Sequence, residues 1–250
     1  MKALITGASS GIGLDMARYL ASLKYELILV ARNKERLEQI QESLPTKVTI
    51  IVADLSVEQK IKELYVLTRN QEIDILINNA GFGDHGYFDE TELSKEMEML
   101  NTNVKAVHIL TKAFLKDMVK RDKGYILNVA SSAAFQPGPL MATYYATKAY
   151  VLHLSEAINF ELKKKKSNVV VSCLCPGPVD TNFNKTAGVK FSVKPLSSNY
   201  VARYALEKMF QKKRVIIPGT GMKLGKFFGR FTSDKTKMRI AYRIQRKKIK

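Results

Sequence analysis

The 250 residues include 41 Lys or Arg against 23 Asp or Glu, a formal net charge of +18, with 46% hydrophobic and 26% charged residues. This composition excludes a disordered chain, and the length suits one large α/β domain or two small ones with a substantial core. No uninterrupted apolar run approaches the ~18 residues of a spanning helix, and "MKALITG" enters an apolar strand without the features of a secretory leader, so a cytoplasmic protein is expected.

Short Val, Ile and Leu runs alternate with helix-period segments. In chain order, strand candidates "KALIT", "ELILVA", "KVTIIVA", "IDILIN", "GYILNVAS", "NVVVSCLC" and "RVIIPG" are separated by helical stretches at 11–23, 33–44, 57–70, 92–121, 143–165 and 199–212. Strands lacking polar alternation are covered on both faces. That predicts an α/β fold, a doubly wound parallel sheet of Rossmann type, with its strand C-termini gathered at one ligand-binding edge. Without repeats or a Pro/Gly/Ser-rich linker, residues 1–220 are expected to form one domain, and 221–250 a basic amphipathic tail.

The first strand runs into "TGASSGIG", where Gly7, Gly11 and Gly13 precede a helix starting near Ile12. Glycines allow a tight turn and close approach to a pyrophosphate, and a helix N-terminus offers unpaired N–H groups and partial positive charge. Alone the trio could mark only a tight strand-to-helix turn; after the first strand of an alternating chain it favours a dinucleotide. The second strand ends in Ala31 and Arg32 instead of an acidic residue. A guanidinium suits a 2′-phosphate that a carboxylate would repel, which favours NADP(H) over NAD(H), unless Arg32 merely caps the strand.

Cys173 and Cys175, two apart in "VVVSCLCPG", point to one face of a strand and are poorly placed to bridge each other. His85, His108 and His153 form no ligand spacing with them, so buried thiols and no metal are expected.

The stretch "TYYATKAY" sets Tyr144, Tyr145 and Tyr150 around Lys148. Helix geometry puts Lys148 on the face of Tyr144 at i+4, although Tyr145 at i+3 could face it too. A phenol of pKa about 10 is too weak an acid to exchange protons freely near neutrality, and a neighbouring ammonium is expected to lower it.

With TGxxxGxG at 6–13, "NNAG" at 78–81, Ser131, Tyr-x-x-x-Lys at 144–148 and "PGPVDT" at 176–181, the chain closely resembles the short-chain dehydrogenase/reductase family, in the family's order and over about 175 residues. The resemblance implies Ser131, Tyr144 and Lys148 as catalytic residues, the serine standing thirteen before the tyrosine. It also implies Asn103, preferred over Asn101, as the helix asparagine that helps hold a water chain to the lysine. For the cofactor it implies Gly7, Ser9, Ser10, Gly11, Ile12, Gly13, Arg32, Asn33, Asp54 near the adenine, Asn79, Ala80 and Gly81 beneath the ribose, Tyr144, Lys148, Pro176, Gly177, and Thr181 at the carboxamide. The chain departs from many NADP-using relatives at Ser10, where they carry a basic residue; Arg32, with Ser9 or Asn33, must then hold the 2′-phosphate.

The expected substrate lining of Phe135, Gln136, Leu140, Met141, Pro178 and Phe183 is largely apolar, which suits a hydrophobic ketone, aldehyde or 3-oxoacyl compound. His85 is read as an ordinary loop histidine. Residues 223–250 hold eleven Lys or Arg against the single acid Asp234. Leu224, Phe227, Phe228 and Phe231 recur at helical spacing, and Arg239, Arg243, Arg246, Lys247 and Lys250 form a stripe beside Met238, Ala241, Tyr242 and Ile249. Such a segment can lie on an anionic bilayer or pack on the protein or a sister subunit.

The expected activity is hydride transfer between NADP(H) and a small-molecule carbonyl or alcohol, in a homo-oligomer that binds no specific nucleic acid. The rivals are a non-catalytic NADP-binding regulatory module, and a membrane- or RNA-associated protein acting through its tail.

Overall fold

The computed structural model describes residues 1–181, 183 and 194–246; the tail positions Lys247, Ile249 and Lys250 lie outside them. The chain opens with β1 (Lys2–Thr6), α1 (Gly11–Ser22), β2 (Glu26–Ala31), α2 (Lys34–Ser43), β3 (Val48–Val52), α3 (Glu58–Thr68) and β4 (Ile75–Asn78). It continues through α4 (Leu93–Leu100), α5 (Val107–Lys120), β5 (Tyr125–Val129), α6 (Ala142–Lys164), β6 (Val170–Leu174), β7 (Val179–Asp180), β8 (Leu196–Ser197), α7 (Ser198–Phe210), β9 (Val215–Ile216), α8 (Thr220–Gly229) and α9 (Asp234–Arg246).

Seven strands pair in parallel in the order β3-β2-β1-β4-β5-β6-β9, and β7 and β8 form a small parallel pair of their own. The apolar runs follow from this layering. Ala3 and Ile5 of β1 belong to a core shared with α1 and with Val201, Ala205 and Met209 of α7, whereas Leu4 points through the sheet to Ile61 and Leu64 of α3 and Leu110 and Phe114 of α5. The inner strands β1, β2, β4, β5 and β6 bury both rows of side chains, which is why both rows are mainly apolar, whereas the edge strand β3 leaves Thr49 and Val52 exposed.

The chain leaves β1 in one direction to pair β2 and later returns to β1's other side with β4, at registers Ala3↔Leu27 and Ala3↔Ile75. A crevice opens where the winding reverses, at the strand C-termini. The segment after β1 and the segment after β4 therefore meet.

The single helix expected over 92–121 is two α-helices joined by a π-helical turn at Asn101–Ala106. Such wide turns cost hydrogen-bond geometry and tend to mark functional positions. Ser132–Phe135 forms a short 3-10 turn that the apolar periodicity did not reveal.

Candidate active site

A cleft of about 1060 Å³ runs along the strand C-termini. At one end lies the first glycine turn. Gly7 adopts φ +65°, and a Cβ on Gly13 would stand 2.4 Å from both the Asn79 amide nitrogen and the Gly7 carbonyl oxygen. The amide of Asn79 donates to the carbonyls of Thr6 and Gly7, both at 3.1 Å, and the Thr6 hydroxyl accepts from the backbone N–H groups of Asn79 and Ala80. The two expected cofactor segments thus hold each other. Ser10 opens α1 in extended conformation without a side-chain cap, and Ser9, Ser10, Gly11 and Ile12 line the cleft, so the first-turn N–H groups suit an incoming pyrophosphate. Gly13 lies behind this surface; the other expected cofactor residues all reach the cleft wall.

Arg32 reaches the cleft already engaged: its guanidinium pairs with Glu98 at 2.9 Å. Burial raises the Asp54 carboxyl, but hydrogen bonds from the Ser56 backbone and hydroxyl, helped by Arg32, outweigh it and leave the group below the usual range. Asn33 caps α2 by accepting from the Arg36 N–H at 2.6 Å. Glu98 had no signal in the sequence, because it comes from α4, 66 residues away.

At the other end, α6 carries Tyr144 and Lys148 on one face. Tyr144 is 8% exposed and packs with Met99, Ala133, Met141, Phe82 and Phe183. The Lys148 ammonium lies 5.8 Å from the Tyr144 ring centre and donates to the Val129 carbonyl at 3.0 Å. Ser131 caps the 3-10 turn, its oxygen accepting from the Ala133 N–H at 3.1 Å, which leaves its proton for another acceptor. Asn103 is fully buried in the π-turn: its amide donates to the carbonyl of Phe82 and the hydroxyl of Thr147, and its oxygen accepts from the Phe82 N–H. A Cβ on Gly81 would lie 2.8 Å from the Asn103 oxygen and 3.3 Å from the Lys148 ammonium, so Gly81 lets these two side chains stand together.

The three tyrosines differ in surroundings. Tyr145 accepts at 2.8 Å from the amide of Gln245 in α9, and Tyr150 is exposed and bonded to His108 at 2.6 Å. Of the three, Tyr144 is the one beside both Ser131 and Lys148.

The expected acidification of Tyr144 is not what the protein's own groups produce. Burial pushes the phenol well above its ordinary value, the Ser131 hydroxyl acting in the opposite direction. Burial also lowers Lys148, to about 8. The desolvation that raises the phenol weakens the ammonium, and that ammonium is committed to the Val129 carbonyl.

Phe135, Gln136, Met141, Pro178 and Phe183 line the cleft; Leu140 is buried away from it, a correction to the expected lining. His85 meets the backbone carbonyl of Gln245 at 3.2 Å. The tail supplies walls that the sequence did not announce: Met222 lies against Gly177, Lys226 sits 4.6 Å over the Phe135 ring, and Gln245 closes over Tyr145. Beneath the site, Asn78 donates to Asn128 and Thr111, and Asn128 donates to Ser155, a buried polar lattice joining β4, β5, α5 and α6. Cys173 and Cys175 are buried free thiols 3.9 Å apart. Among the described residues no helix is long and apolar enough to cross a membrane.

The comparisons agree with this architecture. A short-chain dehydrogenase from Sphingobium yanoikuyae, solved in complex with NADPH, superposes with a TM-score of 0.83 at 30% identity over 92% of each chain. The bulky-bulky ketone specific alcohol dehydrogenase from Comamonas testosteroni gives 0.79 at 31% identity, over 92% of this chain and 91% of that one. The very-long-chain 3-oxoacyl-CoA reductase of Anas platyrhynchos is 33% identical over 208 residues; the match takes in 80% of this chain and spans 66% of that relative's length. The family model described as short chain dehydrogenase matches residues 1–190. The chain is an oxidoreductase of the short-chain dehydrogenase family.

Proposed function

We propose that the protein is an NADP(H)-dependent reductase of bulky, hydrophobic carbonyl compounds, with Tyr144 as proton donor. The observation that carries this reading is a buried phenol flanked by a serine hydroxyl and an ammonium, at the end of a cleft whose other end is a glycine turn. The first-turn N–H groups of α1 would hold the pyrophosphate, Asn79 to Gly81 the adenosine side, Lys148 the nicotinamide ribose and Thr181 the carboxamide. Arg32 would turn from Glu98 to a 2′-phosphate. When bound, the cofactor supplies or accepts the hydride.

Ser131 turns its hydroxyl proton from the Tyr144 phenol to the substrate oxygen and stabilises the charge that grows there. Tyr144 delivers a proton to the same oxygen. Burial keeps the phenol in its protonated form, the form a donor needs, but makes it the weaker acid, so the transfer relies on the negative charge that grows on the substrate oxygen to draw the proton. Asn103 holds the backbone of Phe82 and stands beside Lys148, which suits a positioning role on the proton path. The apolar collar of Phe135, Met141, Pro178 and Phe183 excludes water from the reacting carbonyl. The two ketone- and acyl-reducing relatives support the substrate class.

NADPH oxidation over a panel of aliphatic, aromatic and 3-oxoacyl carbonyls tests the reading. Tyr144→Phe is expected to cut kcat by about 10²- to 10⁴-fold, the usual worth of a positioned proton donor, with NADPH affinity retained. Tyr145→Phe should keep most of the rate. Loss on Tyr145→Phe with Tyr144→Phe active, or silence over the whole panel despite tight NADPH binding, would overturn the assignment.

A further inference from the structure

Helix α8 presents two opposed faces to different surroundings. Met222, Gly225, Lys226 and Gly229 recur at i, i+3, i+4 and i+7 and line the cleft. Leu224, Phe227 and Phe228, with Phe231 in the turn just past the helix end at Gly229, repeat the same spacing two residues on, roughly 200° around the helix. They are 56%, 53%, 61% and 78% exposed. The rings pack edgewise on one another, with centres 5.4 Å apart for Phe227 and Phe228 and 5.7 Å for Phe227 and Phe231. No residue of α8 is buried. A contiguous bare aromatic ridge is uncommon on a soluble surface and marks a contact site.

Its surroundings define the partner. From 221 to 246 the chain carries eight Lys or Arg, of which Lys226, Arg230 and Lys237 line the cleft and Lys223 bonds the Tyr204 hydroxyl, leaving Lys235, Arg239, Arg243 and Arg246 exposed; the single acid, Asp234, is paired with Lys237 at 3.0 Å. A second copy docking symmetrically would set two such cationic patches face to face. A nucleic acid would satisfy the cations but offers no apolar layer for Leu224 and three rings already packed together.

We propose that α8 and the turn after it form a monotopic docking element whose Leu224, Phe227, Phe228 and Phe231 ridge inserts into the interface of an anionic phospholipid bilayer while exposed cations of α9 such as Lys235, Arg239 and Arg243 engage the headgroups. Docking in this pose lays the roof of the cleft on the membrane, so that an apolar substrate leaving the bilayer enters beside Met222 and Lys226. That last step rests on the reductase reading; the docking itself does not.

The test is co-sedimentation of the full chain with phosphatidylcholine vesicles, with and without roughly 30% phosphatidylserine, at about 0.1 M and about 0.5 M salt. Partitioning should be about 10-fold or more stronger on the anionic vesicles and fall by a similar factor at high salt. The triple variant Phe227→Ser, Phe228→Ser, Phe231→Ser should lose about 10-fold or more of it, with far-UV spectrum, NADPH binding and reduction of a water-soluble ketone unchanged. Equal partitioning on neutral and anionic vesicles, or unchanged partitioning of the triple variant, would overturn the proposal. Lipid-free self-association that disappears in the triple variant would make the ridge a subunit interface, and Phe-dependent binding to single-stranded RNA in preference to vesicles would make it a nucleic-acid surface; both would overturn it. Vesicle binding in a protein inactive on every carbonyl would overturn the reductase reading and leave docking standing.

Discussion

Lys148→Met replaces a buried ammonium by an apolar chain of similar shape, and its effect on stability should change sign with pH. In the folded protein Lys148 is lowered from 10.5 to about 8 by burial. This depression corresponds to about 3 kcal/mol of desolvation borne by the charged form. Against it stands the bond to the Val129 carbonyl, whose loss leaves a buried acceptor unpaired at a cost of about 1–2 kcal/mol. Below pH 8 both folded and unfolded wild type are charged, the full penalty applies, and the variant should be more stable by about 1–2 kcal/mol. Between about 8 and 10.5 the unfolded chain binds the extra proton, so wild-type stability rises with pH and the advantage shrinks. Above that window only the lost bond remains, and the variant should be the less stable by a similar amount. Urea unfolding followed by circular dichroism at pH 7 and 10.5 measures both ends, and other titrations cancel in the difference. A variant destabilised equally at both pH values would refute the reasoning, because it would mean that the ammonium carries no desolvation penalty.

The same titration should appear in turnover. If the Lys148 ammonium is required, kcat/KM for reduction holds steady below pH 8 and falls as the pH rises through it; a pH-rate profile with no break between 7 and 9 contradicts this. Arg32→Ala should weaken NADPH binding by about 10- to 100-fold, as for a charge-assisted hydrogen bond, and NADH binding far less, measured by fluorescence titration of each. Glu98→Gln frees Arg32 from its 2.9 Å partner and should tighten NADPH binding by a few-fold, read in the same titration. Gln245→Ala removes the amide bonded to Tyr145 and should raise KM for bulky ketones with little change in NADPH affinity, since Gln245 stands over the apolar end of the cleft.

The sheet was legible because both faces of its inner strands are covered, leaving unbroken Val, Ile and Leu runs that only a two-sided layer accommodates. The grouping of Ser131, Tyr144 and Lys148 was legible only through the family resemblance: helix spacing let Lys148 face either Tyr144 or Tyr145, and the family's thirteen-residue interval from Ser131 selected Tyr144. What spacing could not reveal were contacts decided across the fold. Glu98 reaches Arg32 from a helix far along the chain, and Gln245 closes on Tyr145 from 100 residues away. The raised phenol escaped for the same reason: sequence shows a lysine nearby, but only the packed structure shows that burial taxes both groups. In the tail, the exposed ridge 224, 227, 228 and 231 was visible as a period. Its counterpart 222, 225, 226 and 229 was not, because two glycines and a lysine carry no apolar signal.

The polar lattice of Asn78, Thr111, Asn128 and Ser155 spans four elements, of which α6 bears Tyr144 and Lys148 and β5 leads directly into Ser131. Its members only find one another once β4, β5, α5 and α6 have all docked. A half-assembled chain therefore has no way to hold Ser131 and Lys148 in register, and competence should emerge in a single step. During refolding, recovery of turnover should trace the final cooperative phase and show no earlier component, even where helical signal has already returned.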